Sequence, residues 1–428
     1  MPKSLSSSAG GPKMSRIGTL LFIVVLAVTS AYAADKKPKK PAGQNSSQAQ
    51  RVRVSVNRDM LVWPNPPAIG RIRWLDQLTG EPFNVDATNP KEKKKQSWMD
   101  RLAGGQTEQA VNLKIPYQLL RPYGVAVDSA GKIYTADEGV DAIFIFNTDT
   151  KGVELIRNDH EARFGLVNGL ALDDNDRLFV SDGRLRQIMV FNSKHQQESA
   201  FGADVLARPG GIAIDRENRF LYVVDTENDQ VIVFDADSFK LLRRIGVSGK
   251  KHTLTAPGTF SLPTNVAVDK EGDVYVTDTL NNRVEIFDAD GNFISMFGKH
   301  GDGPGYFARP KGIAVDGDGH IWVVDTYQDR VQVFDREGRL LIYVGGHGVY
   351  PGQFGAAYGI AIDKDNRVIV SEQYPGRLQV FRYVTDAEAE EARKKQINEP
   401  AAPAQKAPSS SLKQSDSEAA KVQSSAAH

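Results

Sequence analysis

One pattern recurs six times between Tyr123 and Phe381. It consists of a small turn, G-[IVL]-A-[IVL]-D, a polar turn, four or five alternating residues ending in an acid, and then x-x-x-x-[RQ]-[VIL]-x-[VI]-F. The copies start at Tyr123, Asn168, Gly210, Thr264, Lys311 and Tyr358, spaced 45, 42, 54, 47 and 47 residues apart. A unit of that length suits one four-stranded antiparallel sheet stacked between two others like it.

The fifth copy shows the division into strands: GIAVD, HIWVVD, RVQVFD and LLIYVGG, separated by Asp-Gly-Asp-Gly, Thr-Tyr-Gln-Asp and Arg-Glu-Gly-Arg. Apolar residues alternate within each run, and turn residues separate the runs. The first strand is short and places Gly and Ala at crowded points, as expected where neighbouring sheets converge. The second and third are β-branched and aromatic, as expected of strands sandwiched between sheets.

The pattern resembles the NHL-repeat family of β-propellers. The fourth and fifth copies are the most similar, LPTNVAVDKEGDVYVTDTLNNRVEIFDADGNFISMFG and RPKGIAVDGDGHIWVVDTYQDRVQVFDREGRLLIYVG, as are the connectors Gly301 to Phe307 and Gly348 to Phe354. The resemblance covers roughly Pro116 to Val384. It implies an all-β fold, a six-bladed β-propeller of NHL-like repeats. It does not imply one function, because propellers of this kind serve as enzymes, RNA binders and scaffolds.

The sixth copy supplies YGIAID, RVIVSE and RLQVFRYV and then turns acidic and helical at Asp386, so it lacks its outermost strand. Arg71 to Leu78, upstream of the first repeat, alternates as such a strand would. The expectation is closure by this N-terminal strand, which completes the last blade and removes an open edge. Val62 to Pro67 is expected to be a proline-stiffened strap on the propeller's side.

The remaining segments divide by composition. Residues 1–33 read as a signal peptide: Ile17 to Val28 is apolar, Lys13 and Arg16 precede it, and Ala31-Tyr32-Ala33 offers a cleavage site. Met14 is the alternative start. If uncleaved, residues 17–34 are long enough to anchor in a membrane. Residues 34–50 form a polar linker, and 51–115 contain the strap, the closing strand and a short helix at 89–109. The propeller occupies 116–385, followed at 386–428 by a charged helix and a disordered tail. The protein is therefore expected to be exported, to the periplasm or the outside, as a monomeric propeller.

Chemistry is constrained by what the sequence lacks. The chain has no cysteine, which excludes disulfides, thiolate nucleophiles, Cys-ligated zinc, iron–sulfur clusters and covalently attached c-type haem. Its 53 basic and 53 acidic side chains give no basic excess, and together with the leader this speaks against a nucleic-acid partner. Tyr123, Asn168, Gly210, Thr264, Lys311 and Tyr358 should ring the mouth of the central channel. The amidating lyase that acts on peptidyl-hydroxyglycine resembles this chain, and the resemblance would place three zinc-binding histidines at such a rim; none of the six positions is His. His252, His300 and His347 fall in connectors and are read as loop-filling. No catalytic residue, metal site or cofactor is assigned, although a divalent ion remains the alternative.

The acids that recur at the ends of the first and second strands are expected to be structural, holding turns. Arg283, Arg330 and Arg377, five residues after an acid, are expected to pair with it across the hairpin. Arg121, Arg208 and Arg309 each precede a proline at the same point before a blade. Together with Lys311, Tyr123, Tyr327, Tyr358 and Tyr374 they suggest an Arg/Tyr-rich face, with Asn168 and Thr264 in its rim. The reading is a scaffold that binds an envelope protein, peptide or glycan; the alternative is a propeller hydrolase or lyase using a divalent metal.

Overall fold

The computed structural model describes residues 61–81, 116–158, 163–247 and 252–398. The expected leader, the polar linker, the helix at 89–109 and the tail after 398 lie outside the described residues. The described chain forms six antiparallel sheets, five of four strands and one of five. The inner strands are Pro122–Val127, Val167–Leu172, Pro209–Asp215, Pro263–Val268, Pro310–Val315 and Ala357–Ile362, and they open blades 1 to 6. Each packs against the next, and the sixth returns to the first.

Blade 6 is completed as the sequence predicts. Ile72–Leu78 pairs antiparallel with Arg377–Tyr383, with Ile72 opposite Tyr383 and Leu78 opposite Leu378. Trp74 lies in the hydrophobic wedge between blades 5 and 6, and its indole donates to Gln379 Oε1 at 2.9 Å. The strap adds a fifth, outermost strand, Val62–Trp63, whose Trp63 ring meets Phe381 edge-on at 6.0 Å. The charged helix Asp386–Asn398 follows; Thr385 caps it through a reciprocal pair of bonds with Glu388.

Apolar alternation fills the gaps between blades. Six separate clusters of buried side chains lie one in each gap, built around residues such as Trp322, Tyr222, Phe144 and Phe287. Full burial of one such side chain stabilises by about 1.5–3 kcal/mol. Second strands are buried on both faces because each lies between two wedges. That explains why they read as Val-Tyr-Val-Thr-Asp or Ile-Trp-Val-Val-Asp rather than as alternating apolar and polar.

The repeated acids hold the turns, as expected. Asp137, Asp182, Asp225, Asp278, Asp325 and Glu372 are completely buried at the ends of the second strands. Each accepts backbone N–H bonds from the residues that lead into its own inner strand. Asp137 takes Leu120 and Arg121, Asp225 takes Ala207 and Arg208, and Asp325 takes Ala308 and Arg309, at 2.7 to 3.1 Å. Arg283 and Arg377 pair with Asp278 and Glu372 at 2.9 and 2.8 Å. Arg330 does not pair with Asp325: its guanidinium lies over the Tyr343 ring and reaches the Asp302 carbonyl and Gln328. Five-residue spacing fixes where the backbone of Arg330 lies, whereas the neighbouring aromatic ring determines where its long side chain goes.

A second device holds the connectors. Gln332 and Gln379, buried in the third strands of blades 5 and 6, each accept from a connector glycine (Gly305 or Gly352) and donate to a connector carbonyl (Tyr306 or Gln353). Blade 4 has Glu285 at that place. It accepts from Gly258 and lies 2.5 Å from Arg283, but it has no amide N–H to give. Burial, opposed by the Arg283 charge, pushes its carboxyl up to about 7.

Two expectations follow. Gly359 has backbone of the first blade pressed against it, so that an added Cβ would stand 2.1 Å from Tyr123 O. Gly359→Ala should lower stability by about 1–3 kcal/mol in a thermal or denaturant melt, and an unchanged melt would contradict tight closure there. Glu285 retains its proton in the folded state at pH values where the unfolded chain, near 4.5, has lost it. The contribution of Glu285 to stability should therefore fall as pH rises from about 4.5 to about 7 and then level off. Glu285→Gln should remove that fall and gain on the order of 1–3 kcal/mol above pH 7. Parallel pH profiles for the two proteins would count against this assignment.

Candidate functional site

The face bearing the second-to-third-strand loops contains the expected rim, and the structure divides its residues into two groups. Asn168 and Thr264 are buried and join neighbouring blades. Asn168 Nδ2 donates to Pro209 O of blade 3 at 2.9 Å, and Thr264 Oγ1 lies 2.7 Å from Thr279 Oγ1 of its own blade, which in turn donates to Pro310 O of blade 5 at 2.7 Å. Gly210 is buried as well. These three positions stitch the ring together and offer little surface to a partner.

The other group converges over the channel. Tyr123 and Tyr358, 235 residues apart, become neighbours when the ring closes; their hydroxyls are hydrogen-bonded and their ring centroids are 3.8 Å apart. Burial, together with Tyr358, raises the Tyr123 phenol well above its ordinary value, and burial pushes Tyr358 up to about 12, so both remain neutral donors. Lys311 Nζ sits 5.3 Å from the centroid of the Tyr358 ring. Burial, and then the charges of Arg309 and Arg208, push its ammonium down to about 8.

Arg121, Arg208 and Arg309 are exposed, and their backbones are pinned by the blade acids. The field of Arg208 reaches Tyr123 and Glu138 of blade 1, Lys311 of blade 5 and Tyr358 of blade 6, so its charge acts across the channel. Sequence reasoning missed Glu138. It follows the blade acid Asp137 at a position where four blades carry Thr or Gly, and its side chain is nearly buried 3.2 Å from Arg121. Burial raises its carboxyl, against the pull of Arg121 and Arg208. That departure from the repeat was the available signal.

Outside this hub stand large apolar side chains. Tyr327 and Tyr374 are 76% and 65% exposed, and Leu120, Leu185 and Leu280 are exposed on the same side. The opposite end of the channel is a cavity of about 510 Å³ lined by aliphatic residues such as Val127 and Leu172 and by the charged Asp215, Arg216, Glu217, Asp269 and Lys270.

Two of the three connector histidines latch loops to the preceding blade, while His300 makes a backbone bridge to Phe307. His252 Nδ1 lies 2.8 Å from Asp229, and His347 Nδ1 lies 2.7 Å from Asp329. Among the described residues no group of three or more His, Cys, Asp or Glu comes together in a way that could hold a metal.

Comparison with known proteins agrees with this architecture. A family described as "6-bladed beta-propeller" matches residues 260–319, and the NHL repeat matches residues 307–334, both within blades 4 and 5 and their connectors. A probable peptidyl-alpha-hydroxyglycine alpha-amidating lyase of Caenorhabditis elegans is 27% identical over 188 residues, covering 37% of this chain and 51% of the relative. The protein brain tumor of Drosophila melanogaster is 27% identical over 135 residues, covering 31% of this chain and 13% of the relative. The match thus spans about half of the first relative and a small part of the second. A solved protein of unknown function from Bacteroides thetaiotaomicron superposes with a TM-score of 0.51 at 18% identity, over 62% of this chain and 70% of that one, and shows the fold alone. With the repeat present in six sheets and the family matches falling on two of them, this chain is an NHL-repeat six-bladed β-propeller.

Proposed function

We propose that the protein is a binding scaffold that recognises a polypeptide on the loop face, and that it works in the cell envelope. One observation carries the recognition reading: exposed Tyr327, Tyr374, Leu120, Leu185 and Leu280 surround a hub of Arg121, Arg208, Arg309 and Lys311. Aromatic anchors beside arginines are the composition of interaction hot spots. The leucines favour a polypeptide over a glycan, because a sugar offers little aliphatic surface to cover them. Envelope location rests on the leader-like residues 17–33, which lie outside the described residues. No helix among the described residues is long and apolar enough to cross a membrane.

The second reading, a hydrolase or lyase using a divalent metal, draws on the similarity to the amidating lyase. It has no ligand set to build on among the described residues, and its direct test is metal content of the purified protein.

Affinity capture from gently crosslinked envelope, using the full chain tagged at its C-terminus, tests the scaffold. Wild type should retain a stoichiometric partner. Tyr327→Ala with Tyr374→Ala should weaken its retention by roughly 2 kcal/mol or more, as loss of a hot-spot aromatic does. Charge reversal at Arg121, Arg208 and Arg309 should abolish it. Undiminished retention by both variants would remove the face from the reading.

A further inference from the structure

Arg121, Arg208 and Arg309 occupy the same structural position before blades 1, 3 and 5, each immediately ahead of the proline that opens the inner strand. Blades 2, 4 and 6 carry Leu166, Leu262 and Ala356 there. Three arginines therefore approach the channel from alternate spokes of the ring, each from a backbone fixed by a buried acid. Lys311 adds a fourth cation, and Glu138 is paired with Arg121 at 3.2 Å.

We propose that the channel mouth binds one oxyanion group, a carboxylate or a phosphate. Arg121, Arg208, Arg309 and Lys311 are its donors, and Glu138 is the resident carboxylate that the incoming anion displaces from Arg121. The proposal rests on the recognition reading above and names the chemistry of the partner's anchor. Two observations support it. Lys311, buried over the Tyr358 ring, has its ammonium lowered first by that burial and then by the charges of Arg309 and Arg208, and an anion between the cations relieves the second of these. Glu138 shows that the site already accommodates a carboxylate, and guanidinium groups bind both oxyanions through charge-assisted, often bidentate hydrogen bonds. The packed, hydrogen-bonded tyrosines supply a neutral, partly buried neighbour, where such bonds are screened less than in open water.

The test is calorimetric titration of the full-length protein in low-salt buffer with three probes: inorganic phosphate, citrate and a hexaglutamate peptide. Arg208→Gln, Arg309→Gln and Glu138→Gln are compared with Arg184→Gln, an exposed arginine of the blade 2 loop on the same face. Saturable binding at one site per chain is expected for at least one probe. It should be weakened roughly tenfold by Arg208→Gln or Arg309→Gln. Glu138→Gln should strengthen it, and Arg184→Gln should leave it within about twofold. Tighter binding of hexaglutamate than of the free ions assigns the anion to a polypeptide; the reverse assigns it to a small solute. Absence of a saturable site, or an equal loss with Arg184→Gln, overturns the proposal, the latter because it would show only diffuse attraction. A protein that binds an anion in this way but retains no partner keeps the site and refutes the scaffold, whereas the opposite result refutes the site alone.

Discussion

The buried acid at the end of each second strand is the interaction on which this molecule depends. A carboxylate shut away from water is costly unless its oxygens are filled with donors, and here the donors are backbone N–H groups of the segment entering the inner strand. Each acid thus ties two parts of its own blade together at the mouth of the channel. Wherever Arg precedes the entering proline, the same bond fixes where that arginine starts. The acids that hold the fold therefore also set, in three blades, the starting points of the arginines of the proposed recognition face.

Closure adds what the repeats cannot give themselves. Without Ile72–Leu78 the last blade would expose the edge of Arg377–Tyr383; with it, the two ends of the described chain share one sheet. The outermost pair then covers that edge in turn, and Trp63 lies so close to Gly352 that a Cβ there would stand 2.4 Å from the indole. Closure also creates chemistry, because Tyr123 from the first inner strand meets Tyr358 from the last only across this junction.

Much of this was legible in the sequence. Repeat number, strand order and the closing strand follow from periodicity and from a fourth strand missing at one end and supplied at the other. What the sequence concealed is depth and direction. Asn168 and Thr264 sit at rim positions by register, but their side chains are buried, Asn168 donating to the Pro209 carbonyl of the next blade and Thr264 bonded to Thr279, which bonds the Pro310 carbonyl of the next blade. Arg330 shares the spacing of Arg283 and Arg377, yet it stacks on Tyr343 instead of reaching Asp325. Glu138 was hidden because a single acid draws no notice among so many structural ones. Only its place in the repeat sets it apart, because four blades carry Thr or Gly there.

The face that results has its backbone hydrogen-bonded to buried acids and its arginines exposed, the arrangement the proposed recognition calls for, because less ordering is then needed on binding. The central claim is that the acids hold the arginine positions in place before any ligand arrives. Amide hydrogen exchange of the unliganded protein tests it most directly, read at Leu120, Arg121, Ala207, Arg208, Ala308 and Arg309. All six lie in or beside loops, yet each donates its N–H to a buried acid. The account expects exchange slowed on the order of a thousandfold or more relative to an unstructured loop. Exchange at the free-loop rate would show that the mouth is not built in advance and would contradict the account.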